Sequence, residues 1–298
     1  MNIPQKDVLL KKLEGLEQMP SIPVVVTPLL HYLEQPLERL EVQRVVDMIS
    51  QDKSLAAQCL RMANSPLFGR WQSVESVRDA VVALGMQRMR DIVFSCSVLT
   101  LMPAEQTQLD PVVFWEHSLG CALVCRHFAR KIAFPDPGKA YLAGLLHDIG
   151  VLVNLWLLPE EFRIAMETAR SKRIPLHEAE MSILGITHCD SGRLLAERWS
   201  LSPDLVEVAS LHHDLRAAKA NPPLLALVSL ADLLCRMGGI GYGYPEERQV
   251  DLLAEPAFAI LLQHCPTLQD FDWARLTFEL EAYLDEVSRL VTVLYRPQ

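Results

Sequence analysis

An all-α protein of two helical lobes is what this sequence predicts, on three observations. Apolar residues recur at spacings of three and four along most of the chain, the period of an amphipathic helix. Strand-like alternation punctuated by Asn-Gly or Asp-Gly turns does not occur. Capping residues and prolines stand where helix starts favour them, as in Ser21 before Ile22-Pro23. The 298 residues, 50% of them hydrophobic, exceed the ~100–200 residues of a usual domain, which is why two lobes are expected.

The segment 8–16 forms a first amphipathic set, and the next helix runs from Ser21 to Leu33. Pro36 and the polar stretch 37–40 interrupt it, after which Val42, Val45, Val46, Met48 and Ile49 resume helical spacing. Asp52 and Ser54 open a helix carrying Leu55, Cys59, Leu60 and Met62, and Asn64-Ser65-Pro66 ends it. Ser76 opens a helix over 77–84 that Gly85 closes. The helix 86–101 is apolar around most of its circumference through Ile92, Val93, Phe94, Val98 and Leu99, so it must be covered. Polar residues over 102–111 break the pattern, and the boundary is set there: 1–107 as the N-terminal lobe, 108–298 as a second helical domain. Further helices are expected over 114–131, 137–158, 160–171, 176–183, 190–200, 203–212 and 222–237. The cluster Gly238-Gly239-Ile240-Gly241-Tyr242-Gly243-Tyr244-Pro245 reads as a loop whose glycines supply turns, and helices over 255–264 and 272–294 close the chain.

Charge and cysteine usage narrow the function classes. Residues 1–110 carry 11 Lys and Arg against 13 Asp and Glu, and residues 111–298 carry 17 against 24, so neither part is a platform for nucleic acid. That balance also disfavours reading 40–68 as a DNA-binding helix-turn-helix. The opening Met-Asn-Ile-Pro-Gln-Lys-Asp has no secretion signal, and the apolar run 141–158 is broken by His147, Asp148 and Asn154, so a cytoplasmic protein without a membrane span is expected. Seven cysteines without a CxxC pair argue against a disulfide framework and a thiolate zinc site.

Histidine placement carries the chemistry. His147 is followed at once by Asp148 inside the apolar run Leu145-Leu146-His147-Asp148-Ile149-Gly150. A buried carboxylate needs a cation or a donor, and a metal ion is one such partner. The alternative is a neutral imidazole on a backbone carbonyl, with Asp148 capping a kink at Gly150; the pair alone does not choose between them. Trp115-Glu116-His117, Thr187-His188-Cys189-Asp190, Leu211-His212-His213-Asp214 and Leu230-Ala231-Asp232 place further histidines and aspartates in helices or at their ends. Singly, His188 can be a helix N-terminal residue, His212-His213 a solvated helix end, and Asp232 a satisfied polar spot. Together His117, His147, Asp148, His188, His212, His213 and Asp232 are expected to converge as ligands for one or two divalent ions, drawn from Fe, Mn, Zn or Ni, with no thiolate required.

The order His117, His147-Asp148, Asp232 resembles that of the HD-domain metal-dependent phosphohydrolases, with His188 and His212-His213 similar to the extra histidines of their two-metal members. The N-terminal half is more specific. Met19-Pro20-Ser21-Ile22-Pro23, Ile49-Ser50-Gln51-Asp52, Leu60-Arg61-Met62-Ala63-Asn64-Ser65-Pro66-Leu67-Phe68-Gly69 and Ser76-Val77-Arg78-Asp79-Ala80-Val81-Val82-Ala83-Leu84-Gly85 closely resemble the HDOD domain, the HD-related output domain, over about 17–237. The resemblance implies an N-terminal helical lobe packed on an HD-like bundle, in a bacterial signalling module related to HD hydrolases but without demonstrated hydrolysis. The chain departs from the HD-GYP cyclic di-GMP phosphodiesterases in two places. Val151 stands where their second motif has lysine, and Gly243-Tyr244-Pro245 trails His212-His213 by about thirty residues, too far to be their tripeptide.

Two functions follow. The first is a signal-transduction protein whose HD-like pocket holds metal with little or no hydrolysis, acting through a signalling partner or a nucleotide ligand. The second is a metal-dependent phosphohydrolase of a nucleotide or cyclic dinucleotide, which has to manage without the lysine.

Overall fold

The computed structural model describes residues 26–33, 35–68, 73–99, 101–102, 109–247, 250–269 and 271–295. The protein is all-α, with α-helices, short 3-10 turns and no strand among the described residues. The expected helix over 8–16 and the Ser21 cap lie outside them. Compactness divides the chain into two discontinuous units, one built on 103–281 and the other on 20–102 with 282–298.

The smaller unit holds α1 (Val26–Leu33), α2 (Val42–Ser50), α3 (Lys53–Ala63), α4 (Val77–Leu84) and α5 (Met86–Leu99). Its helix starts are fixed by the residues the sequence singles out. The Asp52 carboxylate accepts hydrogen bonds from the backbone N–H of Ser54 at 2.8 Å and Leu55 at 3.0 Å, and Ser76 Oγ accepts from Asp79 N–H at 3.0 Å. Each such cap contributes about 1 kcal/mol. Gly85 ends α4 at φ +81°, a backbone that strains any residue with a Cβ. Helix α5 is buried along Met89, Ile92, Val93, Phe94, Cys96, Val98 and Leu99, and it packs on α3 and α4.

The larger unit comprises α6 (Pro111–Lys131), α7 (Pro137–Leu146), α8 (Ile149–Leu157), α9 (Pro159–Lys172), α10 (Leu176–Leu184), α11 (His188–Arg198), α12 (Pro203–Leu211), α13 (Pro222–Met237) and α14 (Pro256–His264). Helix α15 (Trp273–Tyr295) starts in this unit and ends in the other. Proline opens six of these helices, where its missing N–H costs no hydrogen bond. Helix α6 lies against α7 and α13, α8 against α11, and α11 against α12.

The expected single helix over 137–158 is two helices, and the break falls at His147-Asp148. Asp148 turns the chain at φ −99° and ψ 16°, and its carboxylate makes no cap hydrogen bond to α8, because it faces the histidines instead. The span Pro137–Leu157 has the length and apolarity of a membrane segment, yet 89% of its most apolar stretch is buried inside the fold. At Gly150, two residues after the break, α8 lies close against α11: a Cβ there would lie 1.8 Å from the His188 carbonyl oxygen and 2.5 Å from Gly192 N.

Candidate metal centre

Four imidazoles surround the Asp148 carboxylate, each aimed by its own Nδ1. His117, on α6, donates from Nδ1 to the Ile240 carbonyl at 2.9 Å; His147 does so to Gly144 at 2.8 Å; His212, just after α12, does so to Val208 at 3.0 Å. His188, the first residue of α11, donates from Nδ1 to Glu180 Oε2 at 2.7 Å. Carbonyls and carboxylates only accept, so the Nδ1 positions carry the protons and in the neutral rings every Nε2 presents a lone pair. Those lone pairs converge. His117 and His147 Nε2 lie 3.2 Å from Asp148 Oδ2, while His188 and His212 Nε2 lie 3.2 and 3.1 Å from Asp148 Oδ1 and 3.3 Å from each other.

Acceptors facing an acceptor are stable only if protons or a cation intervene. His147 Nε2 and Asp148 Oδ1 are buried and make no hydrogen bond of acceptable direction, so near neighbours leave both unsatisfied. Of the buried carboxylates Asp148, Asp232 and Glu180, Asp232 meets the Arg236 guanidinium, the permanent cation of the cluster, which also pairs with Glu246 at the edge. Ligand atoms fall into three overlapping groups, each within 4.8 Å: His147, Asp148 and His212; His117, Cys121, His147 and Asp232; and His188, Cys189, His212 and His213. A cavity of about 10 Å³ adjoins them, lined by Asp148, His177, His188, His213, Asp232 and Tyr242 among others. That volume suits about one water or one ion. The donor set and the two orphaned atoms therefore fit a divalent cation.

The remaining expected ligands sit differently. Asp232, on α13, has Oδ1 3.3 Å from His117 Nε2, but Arg236 one turn on grips both its oxygens, Nε to Oδ1 at 3.0 Å and a terminal nitrogen to Oδ2 at 2.8 Å. His213 is at the rim, its Nδ1 4.0 Å from Asp232 Oδ2 and its ring stacked on His177 at 3.9 Å between centroids. The glycine cluster, expected to supply turns alone, reaches the centre: Ile240 holds His117, and the buried Tyr242 hydroxyl donates to Asp148 Oδ2. Glu180, which the sequence does not single out, accepts from the His188 ring and from its backbone N–H at 2.9 Å, and is itself fixed by Asn154 Nδ2 at 2.9 Å. No sequence signal ties Glu180 or Tyr242 to the centre, whereas Arg236 could have been found at i+4 from Asp232.

Burial opposes every charge here, and the neighbours decide. Asp148 is held well below the usual carboxylate range, since His147, His188 and His117 outweigh its burial, and Asp232 is held low against burial by Arg236 and His117. His117 rises well above its ordinary value despite burial, through Asp148 and Asp232; His188 does so through Glu180 and Asp148; and His212 reaches about 10 against burial through Cys189 and Asp148. Burial drives His147 and His213 down, and His177 down to about 3. Burial also pushes the Cys189 thiol up, but His212 and His188 overcome it and bring it to about 6.

These directions fix a pH dependence for the metal-free protein. Raised imidazoles give stability that is full below their unfolded value of about 6.5 and is lost as pH climbs through their folded values, about 10 for His212. Cys189 opposes them by one proton above about 6, while the lowered histidines act only below about 6.5. The net expectation is a melting temperature that falls between about pH 6.5 and 10 in chelator, and a metal affinity that strengthens over the same range as ligands shed protons. Thermal melts with and without chelator check this; a chelated protein that gains stability over that range contradicts it.

A sequence model of the HDOD domain matches residues 19–215, and the chain belongs to that family. The crystal structure of an HDOD domain protein of unknown function from Geobacter sulfurreducens superposes with a TM-score of 0.84 at 27% identity, covering 98% of each chain. A candidate phosphohydrolase from Shewanella amazonensis SB2B shares the fold, with a TM-score of 0.71 at 24% identity over 96% of this chain and 97% of its own. An uncharacterized protein of Treponema pallidum (strain Nichols) is 25% identical over 232 residues, 75% of this chain. The chain spans less than half the length of the curated relatives it matches, 43% of that protein and 28% of YuxH from Bacillus subtilis (strain 168).

Proposed function

We propose that this HDOD protein is a signal-transduction module whose His/Asp cluster holds a divalent metal ion as a closed centre with little or no hydrolytic activity. His147, Asp148, His188 and His212 would hold the ion, with His117 beside them; Asp232 is committed to Arg236, which favours one ion over two. When bound, the ion supplies the positive charge that the buried carboxylates and the orphaned Nε2 and Oδ1 atoms call for, and Fe, Mn, Zn or Ni can occupy such a nitrogen and oxygen site. Glu180 and the main-chain carbonyls set the tautomers that keep each Nε2 free. The seven free cysteines suit a reducing compartment such as the cytoplasm.

Closure is the observation that carries this reading. The space at the cluster is about 10 Å³, whereas a bound nucleotide needs about 300 Å³ or more. The Tyr242 hydroxyl is engaged by Asp148, and the Arg236 guanidinium by Asp232 and Glu246. Val151 is fully buried on α8, so no cation stands in the place of the phosphodiesterase lysine; a missing transition-state stabiliser of that kind costs on the order of 10²-fold or more in rate.

Protein purified without an affinity tag is expected to carry about one divalent metal per chain by elemental analysis, and to leave cyclic di-GMP and other phosphoesters intact. The phosphohydrolase reading has one observation in its favour. A pocket of about 600 Å³, lined by Leu233, Met237, Gly241 and Tyr244, shares Arg236 and Glu246 with the small cavity. Metal-dependent turnover abolished by Asp148→Ala would put that reading first.

A further inference from the structure

We propose that His177 and His213 form an entry site for the metal centre, where a hydrated divalent cation is taken up on imidazole nitrogen, one ring at a time, before it reaches His188 and His212. The inference rests on reading the cluster as a metal centre, and it gives His213 a part in transit where the sequence suggests a resident ligand. Of the described residues lining the small cavity, His177, His213, Arg236 and Glu246 reach solvent and the others are buried. Arg236 and Glu246 are closed on each other by an ion pair at 2.8 Å, and the guanidinium repels a cation. The imidazole pair is therefore the side from which a cation approaches, drawn by the Asp148 and Asp232 carboxylates of the same cavity.

Ring contacts lead inward from there. His177, half-buried on α10, stacks on His213 with centroids 3.9 Å apart and planes at 24°. His213, whose side chain is 17% exposed, has its centroid 4.1 Å from that of His212 and 5.2 Å from that of His188, and both of those rings are buried. A ligand atom of His213 lies within 4.8 Å of those of His188 and His212, so transfer to the centre is a short exchange of ligands. A second observation separates the outer rings from the inner ones. His117, His147, His188 and His212 are each fixed by a hydrogen bond from Nδ1, the usual arrangement for a ring that holds a metal. His213 Nδ1 is 4.0 Å from Asp232 Oδ2, too long for a hydrogen bond, and His177 makes the stack but no hydrogen bond to a described residue. Rings without an anchor are free to turn, which suits passage of an ion and not its retention. Burial, with His188 nearby, brings His177 down to about 3, so the ring is neutral and its lone pair is open to a cation near pH 7.

The test loads the whole protein, stripped of metal, with zinc(II) in a stopped-flow instrument, follows release into excess chelator, and measures the equilibrium affinity separately. His177→Phe keeps a stacking ring and removes the lone pair. Loading and release are both expected to slow about 10-fold while their ratio, the affinity, stays unchanged, because a residue on the route lowers a barrier that is crossed in both directions. His177→Gln must give the same result. His264→Phe, at the exposed end of α14, controls for the loss of a surface imidazole and is expected to load like the wild type. Unchanged rates in His177→Phe overturn the entry site. Faster release at an unchanged loading rate, with a weaker affinity, makes His177 a ligand and overturns it as well. In both cases the wild type still takes up zinc and the metal centre stands; a wild type that takes up no zinc overturns both.

Discussion

Asp148→Ala is expected to cost the metal-free protein about 3–5 kcal/mol of stability near neutral pH and to abolish stoichiometric metal retention. Asp148 is the one acceptor that His117, His147, His188 and His212 all approach within 3.3 Å, and the Tyr242 hydroxyl donates to it as well. Deleting it takes from the raised imidazoles the one carboxylate they share and leaves His117 with Asp232, His188 with Glu180 and His212 with Cys189, a costly way to break a buried ion cluster. Electrostatics predicts a further signature. As pH rises through the folded imidazole values the rings become neutral, so the stability gap between wild type and variant narrows between about pH 6.5 and 10. Urea denaturation in chelator at several pH values measures that gap. A gap that stays constant would assign the loss to packing and not to charge.

Gly150→Ala is expected to destabilise the larger unit by about 3 kcal/mol or more, or to prevent folding, although it adds a single methyl group. The new carbon would sit 1.8 Å from the His188 carbonyl oxygen, 2.8 Å from the His188 carbonyl carbon and 2.5 Å from Gly192 N. All three are backbone atoms and cannot rotate away. Helices α8 and α11 must separate, and His188 moves with α11, so metal retention falls together with stability. Gly192→Ala is the internal comparison, because its Cβ meets the Ala209 carbonyl oxygen at 3.0 Å and needs a much smaller adjustment. Thermal melts and metal analysis of the two variants check the ordering; equal tolerance at both positions contradicts it.

Local physics made much of this protein legible before any coordinates. Helix starts depend on the few residues around them, and so Asp52 and Ser76 could be read as helix-opening residues. An apolar stretch carrying His147-Asp148 forces a polar solution wherever it is buried, which is why the pair marks the centre from the sequence. What the sequence left open is set by which helices pack together. Periodicity runs straight through 137–158, and only the pull of Asp148 toward histidines from three other elements breaks the helix there. The same long-range geometry brings Glu180 to His188, commits Asp232 to Arg236, and carries Tyr242 from a glycine loop 94 residues away onto Asp148. Residue types and spacing determine which groups need partners; the packing of α6, α8, α11, α12 and α13 decides who the partners are, because a side chain's electrostatic neighbours depend on distance in space.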